Sequence, residues 1–200
     1  VITNNNELGD QNNSNSSGGT GTRAIVCGGS GSPGNTKTSS ISYITVETLG
    51  NSQDFGDLTQ GNVNSPVGAA SRTRGLSQGG STVPARQSTI EFVTIASTGS
   101  AADYGDLSVA RAEAASVSNQ TRAIVAGGSA TPGDSDVIDY GTIASTGTYQ
   151  DFGNLTDDRE AVGGGIASQV RGIIYGGASP AQNTIEFVTI SSTGDAQDFG

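Results

Sequence analysis

The chain has 200 residues, 32% hydrophobic and 14% charged, with 31 Gly, one Cys, and neither His nor Met. A net charge of −10 with singly scattered basic residues excludes the clustered Lys and Arg that a nucleic-acid backbone demands. One cysteine excludes an intrachain disulfide, the modest charge excludes the disorder signature, and no apolar run approaches the ~20 residues of a membrane-spanning helix.

The dominant signal is internal repetition. Residues 184–200 (TIEFVTISSTGDAQDFG) match residues 89–105 (TIEFVTIASTGSAADYG) at 13 of 17 positions, and weaker copies occupy residues 41–56 and 138–153. Each copy ends in Asp-aromatic-Gly, at Asp54-Phe55-Gly56, Asp103-Tyr104-Gly105, Asp151-Phe152-Gly153 and Asp198-Phe199-Gly200. The spacings are 49, 48 and 47 residues, so the expected units run over about 23–73, 74–121, 122–170 and an incomplete 171–200.

In chain order, residues 1–22 read as the tail of a preceding unit followed by an Asn/Ser/Gly-rich loop. Leu8 stands where Leu58, Leu107 and Leu155 stand later, and residues 4–6 and 12–17 have loop composition. The first regular element is Arg23 and its apolar run closed by Gly28 and Gly29, repeated from Arg74, Arg122 and Arg171. A short apolar run ending in Gly-Gly predicts a strand covered on both faces. The second copy departs from this with Ser77 and Gln78, which are expected to face a solvated channel. A variable loop with Pro33, Pro84, Pro132 or Pro180 follows in each unit and is expected on the surface.

The second predicted strand is the copied stretch itself. In the unit beginning at Ile90, Ile90, Phe92 and Thr94 share one face, while Glu91, Val93 and Ile95 share the other. Ser-Thr-Gly then turns the chain, Asp-aromatic-Gly starts a short third strand, and residues 108–120 and 156–169 supply a fourth. No helical stripe is present. The expected fold is therefore all-β: a β-propeller of ~48-residue, four-stranded blades, about four of them in this chain. The lack of Met and the break within a unit at Gly200 lead us to expect a piece of a longer polypeptide and a larger ring.

Candidate chemistry is sparse. Asp-Phe-Gly recurs in every unit without a Gly-rich ATP loop or a catalytic loop, which marks a structural position rather than a kinase. Ser52, Asp54 and Gly56 partly match a sialidase-type Asp-box, but Ala101, Tyr149 and Ala196 replace the Ser elsewhere and Trp is absent. The recurring Arg23, Arg74, Arg122 and Arg171 could form an anion-binding ring. The expectation is instead that each pairs with strand-end carbonyls or with a recurring acid, Glu91, Asp139 or Glu186. Without His, Ser-His-Asp hydrolysis and most zinc sites are excluded. Asp134 with Asp136, and Asp157 with Asp158, are acids of the type that ligate Ca²⁺, at a density common in loops. Asn119 and Asn154 head Asn-x-Ser/Thr triplets expected by chance. No catalytic, metal or cofactor-binding residue is assigned, and no cofactor is expected.

The frame of apolar strand, Gly-Gly, loop, aromatic strand and later Arg resembles kelch repeats, with Phe55, Tyr104, Phe152 and Phe199 at the kelch Trp position. More closely, IEFVTIASTG followed by DFGDL resembles the degenerate kelch-like repeats of tailed-phage, cyanophage-type structural proteins. The resemblance covers about residues 23–200. It implies a non-enzymatic structural or adhesion module of a virion, such as a tail fibre, baseplate-associated protein or head appendage, contacting other virion or surface proteins. The copper-oxidase branch of kelch propellers needs His, so that activity is not implied. The alternative is a lectin-like propeller recognising host glycans through the Pro loops. For that role only Tyr149 and Tyr175 stand outside the shared aromatic frame, Tyr175 expected in the core and Tyr149 in a loop.

Overall fold

A computed structural model describes residues 16–19, 22–31, 36–61, 63, 65–82, 85–160, 162, 164–178 and 181–200. Leu8, Pro33, Pro84 and Pro180, and with them most of the segment 1–22, lie outside the described residues. The described regular elements are all strands, and no helix is long and apolar enough to cross a membrane.

The first antiparallel sheet contains β1 (Ser16–Gly19), β2 (Arg23–Cys27), β5 (Ser40–Thr45) and β6 (Gln53–Asp57), with the two-residue strands β3 (Ser30–Gly31) and β4 (Thr36–Lys37) forming a ribbon inside the β2–β5 loop. The second is β7 (Val67–Ala70), β8 (Arg74–Gln78), β9 (Thr89–Thr94) and β10 (Ala102–Asp106). The third is β11 (Ala115–Ser118), β12 (Arg122–Ala126), β13 (Val137–Thr142) and β14 (Gln150–Asn154). The fourth is β15 (Gly164–Ala167), β16 (Arg171–Tyr175), β17 (Ile185–Thr189) and β18 (Gln197–Asp198). In each sheet, strands adjacent in sequence are adjacent in space, so each is a simple four-stranded meander.

The strand closing each sequence repeat is hydrogen-bonded to the one that follows it: Ala115 to Ser118 pair with Ala126 to Ala123. Residues 16 and 17 read as loop by composition, yet Ser16–Gly19 pairs with β2 just as β11 pairs with β12. Small side chains obscure these strands in sequence but suit their position. β1 meets β7, β7 meets β11, and β11 meets β15, so the four first strands follow one another along one edge of the molecule. Space there is tight: a Cβ on Gly165 would lie 2.5 Å from the Ser116 carbonyl oxygen, and one on Gly172 would meet the Val117 side chain. The turn from first to second strand is held by Ser71, Asn119 or Ser168, whose side-chain oxygen accepts the N–H of Arg74, Arg122 or Arg171.

The Asp-aromatic-Gly motif is a β-bulge. Ser42 pairs with Asp54 and Ile41 with Gly56, leaving Phe55 as the extra residue; Tyr104 and Phe152 are skipped in the same way. The bulge turns the ring into the core, where Phe55, Tyr104 and Phe152 are 2–3% exposed.

Three apolar clusters fill the spaces between consecutive sheets. The first joins Ile25, Ile41 and Phe55 of sheet one to Val93, Ile95 and Ala101 of sheet two. The second joins Leu76, Ile90 and Tyr104 to Val125, Ile143 and Tyr149. The third joins Ile124, Ile138 and Phe152 to Val188, Ile190 and Ala196. The two faces read from the Ile90 strand thus serve two different sheets. This is why the second strand of each unit is apolar on both sides.

Candidate functional site

The recurring arginines, aromatics, glycines and acids converge on the joints between sheets. Arg23 donates from Nη1 to the Ile95 carbonyl at 2.9 Å, Arg74 to that of Ile143 at 3.2 Å, and Arg122 to that of Ile190 at 2.8 Å. Each guanidinium also lies over an aromatic ring of its own sheet: Arg23 on Tyr43, Arg74 on Phe92, Arg122 on Tyr140 and Arg171 on Phe187, 4.3–4.7 Å from the ring centres. Stacking aligns the planar fork and leaves its edge free for the carbonyl of the next sheet. Of the two partners expected for these arginines, the strand-end carbonyls hold for these three. The recurring acids do not take them as partners.

The acids are buried and serve other donors. Asp139 pairs with Arg111 at 2.7 Å, with both side chains fully buried, and Glu186 pairs with Arg159. Arg111 and Arg159 lie four residues beyond Leu107 and Leu155, in the loop leaving the preceding sheet. Asp139 also accepts bonds from the Ser108 N–H and hydroxyl, and Arg111 reaches the carbonyls of Val137 and Val125. Thr156 N–H donates to Glu186 at 2.8 Å and Thr59 N–H to Glu91 at 2.6 Å, so each acid also anchors the exit loop of the sheet before it. Burial pushes the Arg111 guanidinium below its usual pKa, and the Asp139 charge opposes that shift. The regular spacing of Arg111 and Arg159 was visible in the sequence; their partners were not, because an ion pair across two units leaves no local pattern.

A backbone clasp completes each joint. The Gly99 N–H donates to the Phe55 carbonyl, Gly147 to Tyr104 and Gly194 to Phe152, each at 2.7 Å. Ala101, Tyr149 and Ala196 follow with bonds of 2.8 Å to the carbonyls of Asp57, Asp106 and Asn154. The Asp-box positions are therefore donors in the clasp. The motif glycine must be bare: at Gly56, with φ of 149°, a Cβ would lie 2.5 Å from the Gly99 carbonyl.

Ser77 and Gln78 are buried rather than facing a solvated channel, at 6% and 1% exposure. Gln78 accepts the Tyr149 hydroxyl at 2.6 Å and donates to Ser116 at 3.2 Å, which satisfies it across the joint. Tyr149 is likewise a core residue, 3% exposed and edge-to-face with Tyr104, not a loop residue. Its ring occupies the space a Cβ on Gly141 would take, and Gly141 replaces the Val93 and Val188 of sister units. Tyr175, expected in the core, is half-buried. Burial of Tyr149 removes it as a sugar platform and raises its hydroxyl well above the ordinary tyrosine pKa, with Tyr104 and Asp139 adding to the shift.

Of the remaining candidates, Asn119 is occupied by its turn and by donation to the Gln169 carbonyl at 3.1 Å. Cys27 is buried. Among the described residues, no three of His, Cys, Asp and Glu converge in a way that could hold a metal ion. No protein-family model matches the chain, and no curated protein matches it.

Proposed function

We propose that the chain is a non-enzymatic β-propeller scaffold whose four meanders are kelch-like blades, acting as a structural or adhesion part of a tailed-phage particle. The observation that carries the scaffold reading is the use made of the shared residues. Arg, aromatic, acid and glycine at the recurring positions all bind one sheet to the next. Contact with other molecules is then left to the variable surface loops outside this shared frame. Sequential four-stranded meanders with small-residue first strands along one edge support the blade reading.

Assignment to a virion rests on the resemblance of the repeated frame. Mass spectrometry of purified particles tests it: the polypeptide is expected to band with intact virions and to remain after nuclease and high-salt washing. Recovery from host cytosol alone would remove the virion reading while leaving the scaffold intact.

A further inference from the structure

The three joints follow one plan, and one of them departs from it at a buried point. In joint two, between sheets two and three, the exit-loop Arg111 pairs with Asp139; in joint three Arg159 pairs with Glu186, and all four side chains are fully buried. Joint one, between sheets one and two, keeps the acid: Glu91 is 4% exposed and accepts the Thr59 N–H. It does not keep the arginine. The Gly80 N–H donates to the Arg111 carbonyl and the Gly128 N–H to that of Arg159, both at 2.9 Å, while the matching bond from the Gly29 N–H, at 3.0 Å, goes to Val63. Val63 therefore stands in the arginine's place, 3% exposed and within the apolar cluster of Ile25, Ile41 and Leu58. Among the described residues no cation pairs with Glu91.

A buried acid without its partner costs stability, whereas a complete pair or a complete apolar replacement costs little. Joint one is a half-replaced pair. It also lacks the bonds that Arg111 sends to the Val137 and Val125 carbonyls of the next sheet. Phe55 has no hydroxyl to match that of Tyr104, which reaches the Thr142 carbonyl at 2.7 Å across joint two. The side chain beside the clasp is more distant as well: Ser100 Oγ lies 3.4 Å from the Asp57 nitrogen, against 2.9 Å from Asp195 to the Asn154 nitrogen in joint three. What joint one shares with the others, the Arg23 bond to Ile95 and the clasp at Gly99 and Ala101, docks sheet one without locking it.

We infer that joint one is a hinge built into the array. Sheet one parts from sheet two and bares Ile41, Phe55, Val93 and Ile95, while joints two and three stay closed. Local opening begins at the least stable contact surface, and the mismatch of Glu91 with Val63 places it here.

Native-state hydrogen exchange of the 200-residue chain tests this. After correction for free-chain rates, Gly99 and Ala101, bonded across joint one, should exchange roughly tenfold faster than Gly147, Tyr149, Gly194 and Ala196 across the other two, while remaining well protected. Glu91→Gln removes the lone charge and Val63→Arg restores its partner, so each should slow Gly99 and Ala101 and leave the other four amides unchanged. Together they should cancel, because the arginine is then the stranded group. Glu186→Gln should act in the opposite sense on Gly194 and Ala196, since it strands Arg159. If Val63→Arg does not fold, Glu91→Gln alone decides. Equal protection of all six amides in the unaltered chain, or exchange at Gly99 and Ala101 that Glu91→Gln leaves unchanged or speeds, overturns the inference.

Discussion

At the level of single residues, the buried ion pair of Arg111 and Asp139 carries the largest risk. Removing one partner from a fully buried pair strands a charge, at a cost of about 3–5 kcal/mol, whereas replacing both by apolar residues is often close to neutral. Arg111→Ala should therefore shift the urea midpoint strongly downward, and Arg111→Leu with Asp139→Leu should recover much of the loss. Equal losses in both variants would mean that the pair's hydrogen bonds to Ser108 matter more than its charge. The Tyr149–Gln78 bond gives a pH test. Because burial raises the folded pKa of Tyr149, its contribution is fully present below ~10, the unfolded value, and is lost as pH rises through the folded value. Tyr149→Phe should cost about 1–3 kcal/mol at neutral pH, where Gln78 loses its donor, but weaken the decline of Tm above pH ~10. An unchanged alkaline slope would place that decline elsewhere.

At the level of elements, the Asp-aromatic-Gly bulge explains why a motif that looks catalytic is architectural. Its glycine has two separable demands, a positive φ and a close approach to the next unit. Gly105 (φ 143°) faces both, since an added Cβ would lie 2.5 Å from the Gly147 carbonyl. Gly147 (φ 149°) faces only the first, with no atom within 4 Å of an added Cβ. Gly147→Ala should cost about 1–3 kcal/mol from backbone strain, and Gly105→Ala distinctly more, as measured by chemical denaturation. Equal costs would mean that the clasp yields without penalty. The second and third strands of each unit were legible in the sequence because apolar alternation and a bulge motif mark them. Strands β11 and β15 form within residues 108–120 and 156–169, where a fourth strand is expected, but Ser16–Gly19, which holds the same place in sheet one, has the composition of a loop, and only backbone pairing makes it a strand. Gln78 was misread for a related reason, since its partner Tyr149 lies in the next unit and the room for that ring comes from Gly141.

At the level of the whole molecule, one joint is used three times among the described residues. The repeat was plain from sequence. That its recurring arginines, acids and glycines form three separate layers of each joint was not, because every partner lies in the neighbouring sheet. Residue-resolved hydrogen exchange measures the joint most directly. The amides of Gly99, Ala101, Gly147, Tyr149, Gly194 and Ala196 should be strongly protected by their bonds to the preceding sheet. Rapid exchange at these six amides would contradict the account.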